Sequence, residues 1–125
     1  MKRSAERLEF LNDVLITFAE GGIQMIGEVL DKEMFGDFKD VREPSGYNWI
    51  SVRYSDEEEP ESHKFTIDTV AQGFSRLSKG EVDYLSELGR KRLLKCSREN
   101  DAGEIDAVDA TGIIEIALFG KVTYA

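Results

Sequence analysis

Tyr47-Asn48-Trp49-Ile50-Ser51-Val52-Arg53-Tyr54 decides the fold class. Aromatic and β-branched residues dominate this stretch, and Ile50, Val52 and Tyr54 fall at alternate positions, so it reads as a strand with one face turned to a core. Directly after it comes Asp56-Glu57-Glu58-Glu59-Pro60-Glu61, five acids in six positions with a proline among them. Like charges repel and proline cannot donate to a sheet ladder, so this run is expected as a solvated loop. His63-Lys64-Phe65-Thr66-Ile67 resumes a strand, and the pair predicts a hairpin with a long acidic tip.

Working outward, Leu8, Leu11, Leu15 and Phe18 recur at helical spacing, with Phe10 and Val14 widening the stripe, and predict a helix from Ser4 to Glu20. Ser4 suits its N-cap, and Gly21-Gly22 reads as its stop. Ile23, Met25, Gly27 and Val29 alternate as in a short strand, although Ile26 and Leu30 interrupt the pattern and leave a helix as the second reading. Asp31 to Gly46 reads as a surface loop anchored by Phe35 and Phe38. Downstream of the hairpin, Asp68 is a candidate N-cap for a helix carrying Val70, Ala71, Phe74 and Leu77, ended near Gly80. A second helix is expected from Glu81 to Ser97, with Val82, Leu85, Leu88, Leu93 and Cys96 on one side. Its late cations Arg90, Lys91, Arg92, Lys95 and Arg98 match the negative end of its dipole. Ile105, Val108, Ile113, Ile116 and Phe119 mark a further helix ended by Gly120, and Val122 and Tyr124 a closing strand. The expected architecture is a single globular α+β domain over residues 1–125, with about four helices on a small, mainly antiparallel sheet.

Composition excludes several classes of function. The chain has 125 residues, 41% of them hydrophobic and 33% charged, enough apolar material for one core. Its 25 acids against 16 bases give a net charge of −9, which repels phosphate backbones and anionic membrane surfaces. One cysteine and one histidine support neither an internal disulfide nor a structural zinc site. No apolar run reaches the roughly 18–20 residues of a membrane span, and Met1-Lys2-Arg3-Ser4-Ala5-Glu6-Arg7 leads into an acid-containing amphipathic stretch rather than a signal-peptide core.

The motifs that carry chemistry fail one by one. The helix–turn–helix at Asp68–Ser97 has Glu81, Asp83 and Glu87 where a recognition helix would meet phosphates, so nucleic acid is not expected as a partner. Neither Gly36 nor Gly103 sits in a calcium loop with oxygen ligands at the required spacing. There is no nucleophile elbow, phosphate-cradling loop or dinucleotide fingerprint. His63 reads as an exposed strand residue beside the acidic loop, and Cys96 as a buried, inert thiol. No catalytic residue, cofactor or metal is therefore expected. What remains are candidate partner-binding residues: the acidic run Asp56, Glu57, Glu58, Glu59 and Glu61, joined by Asp101, Glu104, Asp106 and Asp109 in an acidic face, and Trp49. Each has an ordinary alternative. The acidic run serves solubility equally well, and Trp49, like Tyr47, either packs inward or anchors an interface.

Three stretches together carry a resemblance. They are Arg7-Leu8-Glu9-Phe10-Leu11-Asn12-Asp13-Val14-Leu15 with Glu20-Gly21-Gly22, then Phe65-Thr66-Ile67-Asp68-Thr69-Val70-Ala71-Gln72-Gly73, and finally Ser97-Arg98-Glu99-Asn100-Asp101-Ala102-Gly103 through Ala117-Leu118-Phe119-Gly120-Lys121-Val122-Thr123-Tyr124-Ala125. In these the chain resembles a set of small proteins from actinobacterial phages and related mobile elements, a group without an established activity. After Gly22 such proteins tend to carry an aromatic pair where this chain has Gln24-Met25. The resemblance implies context: a phage accessory protein in a bacterial host cytoplasm. With the acidic balance it points to a non-enzymatic protein that binds and modulates a host protein, such as a defence or nucleic-acid-processing system. The alternative is a homo-oligomeric assembly protein, joined through the edge of its sheet or the Trp49 strand.

Overall fold

Ser4 Oγ accepts the Arg7 amide at 3.1 Å and starts α1 (Ala5–Thr17), as expected. The computed structural model describes residues 3–36, 45–54, 62–80 and 87–120. The acidic run, Phe38, residues 81–86 and the closing strand at Val122 and Tyr124 lie outside the described residues.

Gly21-Gly22 does not stop the first helix. The chain passes through a π-helical turn (Phe18–Gly22) into α2 (Ile23–Ile26), and leaves the helix only at Gly27. The glycines serve close packing instead. A Cβ on Gly22 would lie 2.1 Å from Thr111 Oγ1, and one on Gly21 2.9 Å from Ala107 Cβ. The strand expected from Ile23 therefore begins later, and β1 (Gly27–Phe35) occupies the start of the expected surface loop.

β2 (Gly46–Tyr54) is the expected strand, β3 (Ser62–Phe65) is the second one ended early, with Thr66 and Ile67 passing into the next helix, and the sheet is antiparallel with order β1-β2-β3. Tyr47, Ile50, Val52 and Phe65 are buried and form its inner face, with the Phe65 ring meeting Phe18 edge-on at 5.5 Å. Two irregularities interrupt the β1–β2 register: Leu30 on β1 and Asn48 on β2 have no direct opposite.

α3 (Ile67–Lys79) begins one turn feature earlier than expected. Thr66, not Asp68, is its N-cap: the Thr66 hydroxyl accepts the Asp68 amide while Thr69 Oγ1 accepts the Thr66 amide, both at 3.1 Å. The Asp68 carboxylate is exposed and pairs with Arg3 at 2.7 Å. Gly80, at φ 72°, closes the helix in the left-handed conformation that glycine adopts without strain. α4 is described as Glu87–Glu99 and buries Leu93 and Cys96, but Leu88, expected on that face, is 79% exposed. α5 (Ala107–Phe119) is the central helix, buried at every residue from Asp109 to Ile116 because α3, the π-helical turn and α1 all pack on it. Val108 and Phe119, expected among its core positions, are exposed beyond this cover. The four longer helices and the three-stranded antiparallel sheet make a small α+β domain.

Arginines tie the helices together at their carbonyl ends. The last carbonyls of a helix lack intrahelical donors, and a guanidinium supplies several in a fixed fork. Arg90 donates to Leu77 O and Ser78 O of α3, both at 3.0 Å. Arg7 donates to Ser97 O of α4 at 2.6 Å and to Asn100 Oδ1 at 3.0 Å. The cations expected to serve their own helix dipole thus include one, Arg90, that serves a neighbour's end.

Candidate protein-binding surface

Among the described residues of the acidic face anticipated from residue counts, the carboxylates of Asp101, Asp106 and Asp109 are engaged in local structure. Asp106 is the N-cap of α5 and its carboxylate accepts the Asp109 amide at 2.8 Å. Asp109 is buried, a correction to its expected surface role: its carboxylate accepts the Asp106 amide at 3.3 Å and Arg92 at 2.8 Å. This pair, its hydrogen bond foremost, holds the Arg92 guanidinium above its ordinary pKa. Asp101 is exposed but accepts the Gly103 amide at 3.0 Å, and Glu104 is exposed with its carbonyl accepting Arg92 at 3.2 Å. Asp56, Glu57, Glu58, Glu59 and Glu61 lie outside the described residues.

Cys96 is buried as expected, and desolvation, with a smaller push from Glu104, raises its thiol pKa, so the thiol form persists. His63 corrects its expectation: it is half-buried opposite the inner-face residue Val52, its ring stacked 6.3 Å from Phe65. Among the described residues no group of three or more His, Cys, Asp or Glu side chains could hold a metal ion, and no helix is long and apolar enough to cross a membrane.

Trp49 does not pack inward. It is half-buried on the outer face of β2, with the Lys64 ammonium 4.3 Å from its ring centre, a cation–π contact. Its neighbour across the ladder is Glu33 of β1.

That neighbour belongs to a surface the sequence reading missed. Every residue of β1 from Glu28 to Met34 is exposed. Residues directly opposed in an antiparallel pair share a face. Val29 faces Val52, Lys32 faces Ile50 and Met34 faces Tyr47, so these three continue the inner, core-side face of the sheet. The helical layer covers the β2 members of these pairs and not the β1 members: Ile50 and Val52 are 0% exposed, whereas Val29 is 42% and Met34 44% exposed. Leu30, in the bulge, is 48% exposed. The outer face of the same strand is acidic. Glu28 lies beside Arg53 and pairs with it, Asp31 lies beside Ser51, and Glu33 lies beside Trp49 and accepts the Asn48 side-chain amide at 3.1 Å. Among the described residues β1 is thus an edge strand that overhangs the helices, with Val29 and Met34 flanking Lys32 below and acids above. The available signal was weak, since the bulge at Leu30 breaks the alternation that would have marked the strand. No family model, curated protein or solved structure matches this chain.

Proposed function

We propose that this chain is a non-enzymatic, acidic protein that binds and modulates another protein, and that β1 is the surface it presents. The observation that carries the reading is the overhang of Val29, Leu30 and Met34, which are exposed on a strand that, among the described residues, pairs on one side only. Natural sheet edges are usually shortened or covered, and a long exposed one is a template for a partner. The net charge of −9 favours a partner with a cationic surface by steering its approach. In the phage setting that the resemblance implies, the partner is a protein of the bacterial host cytoplasm, with defence and nucleic-acid-processing systems the first to test.

A photoreactive residue placed at Val29 or Met34, with Lys79 on the far end of α3 as control, tests this in host lysate. A discrete adduct is expected from the two β1 positions and not from the control. Its protein component, once purified, is expected to bind the natural chain and to bind Met34→Arg more weakly. Equal labelling from all three positions, or equal binding by Met34→Arg, would remove β1 as the surface.

A further inference from the structure

Building on that reading, we infer that β1 receives a fourth strand: an extended segment of the partner, alternating basic and apolar residues, that pairs along Asp31–Phe35. Among the described residues no strand pairs with the far side of β1, and in an antiparallel sheet half of an edge strand's amides and carbonyls point away from the body. A bulge normally discourages pairing along an edge. Here the bulge on β1 sits at Leu30, and from Asp31 to Phe35 the strand itself has no insertion, because the second irregularity is carried by Asn48 of β2. That run is long enough for a strand of ordinary length, about five residues.

The two faces of the run select the occupant. A residue added beside Asp31 or Glu33 on the outer face meets a carboxylate, and one added on the inner face meets Met34 and the stem of Lys32. Asp31 accepts the Lys32 amide at 2.8 Å and Glu33 accepts the Asn48 amide. Both donors are neutral, so neither of these contacts offsets the carboxylate it meets. A segment with period-2 alternation puts its lysines or arginines on one side and its apolar residues on the other, in register with both needs.

A second copy of this chain meets the opposite condition. Antiparallel pairing about a two-fold axis normal to the sheet keeps outer face against outer face, so Asp31 and Glu33 of one copy would lie among the same acids of the other. Like charges on directly facing strands are destabilising. The assembly reading of the sheet edge is therefore the less favourable use of the same strand.

The test uses the full chain and an eight-residue peptide of alternating lysine and valine, about the length of a strand. Three comparison peptides accompany it: the alternating glutamate–valine peptide, the lysine–valine composition with its lysines in one block, and the alternating basic peptide N-methylated at every second residue. Binding is followed by backbone amide shifts and by slowed hydrogen exchange at residues 31–35. The alternating basic peptide is expected to protect these amides, and each comparison peptide to bind at least about tenfold more weakly. Asp31→Asn combined with Glu33→Gln should weaken binding about fivefold to tenfold, as two cross-strand charge pairs would, and added salt should shrink that difference. Equal binding by the blocked or N-methylated peptide, or protection away from 31–35, overturns strand addition. So does a dimer in sedimentation that dissociates on Met34→Arg. If the photo-captured partner still depends on Met34 while no alternating peptide binds, strand addition falls and the protein-binding reading stands.

Discussion

Replacing Gly73 by alanine should be among the most damaging single-methyl additions in this protein. Gly73 lies on the face of α3 that crosses α5, and a Cβ there would stand 2.3 Å from the Ile113 carbonyl oxygen and 2.7 Å from its Cγ2. The nearest atom is backbone in the middle of a buried helix, so no side-chain rotation relieves the contact. The helices must separate by roughly 0.7 Å, the gap between 2.3 Å and the 3.0 Å that real Cβ contacts essentially never undercut. A radial gap of about 0.5–1 Å already forfeits a quarter to a half of each dispersion contact along the seam. Overpacking of this kind costs about 1–3 kcal/mol, and the rigidity of the backbone places this site at the upper end. Alanine returns about 1 kcal/mol through its better helix propensity. The expected net loss is about 2 kcal/mol, which lowers the melting temperature by about 6–10 °C in a domain of this size. Urea unfolding of Gly73→Ala beside Ser75→Ala, an exposed position on the same helix, measures it. If Gly73→Ala matched or exceeded the natural protein in stability, the close α3–α5 crossing would be wrong.

Three further outcomes are expected. Asp106→Ala removes the acceptor of the Asp109 amide and opens the capping box of α5, and should cost about 1 kcal/mol in the same urea assay; an unchanged midpoint would place the start of α5 elsewhere. Leu88 is 79% exposed, so Leu88→Gln should stay within about 0.5 kcal/mol of the natural protein, and a larger loss would mean that another surface covers it. Stability should also fall in alkali. Burial, aided by Glu104, raises the Cys96 thiol above its ordinary 9.0, and burial, aided by Glu20, raises the Tyr47 phenol above 10.0. The native state then holds more protons than the unfolded chain, so this contribution is complete below the unfolded values and is lost as pH climbs through the folded ones. Urea midpoints from neutral to about pH 11 should drop less for Cys96→Ala combined with Tyr47→Phe than for the natural chain. Parallel curves would show that neither group drives the loss.

Much of the core could be read from periodicity because burial enforces it. Ile50 and Val52 alternate and are buried, and Val70, Phe74 and Leu77 repeat at helical spacing and are buried. The errors arise where one residue type has two uses. Gly21-Gly22 resembles a helix stop, yet glycine also permits close approach, and only the position of Thr111 and Ala107 on α5 distinguishes the uses. Asp68 and Thr66 are both good caps, and the reciprocal bond from Thr69 selects the threonine. Arg90 looks suited to its own helix end, but its partners belong to α3, a tertiary fact that no window of sequence contains.

The candidate surface was illegible for a related reason. Alternation in a strand is written by one face being buried, and β1 has no buried face between Glu28 and Met34; the bulge at Leu30 then erases the residual period. Counting acids pointed instead to the densest carboxylates, and at the start of α5 density reflects helix capping: Asp106 and Asp109 satisfy amides there. Asp31 and Glu33 are sparse in sequence, separated by a lysine, and become a common face only once the ladder places them beside Ser51 and Trp49. Facial position, not abundance, decides whether a carboxylate is available to a partner. By that criterion a charge reversal at Asp31 or Glu33 should disturb binding more than one at Asp106, although Asp106 should matter more to stability. A single panel measuring both quantities separates the two roles, and reversal of that order would return the acidic face to the start of α5.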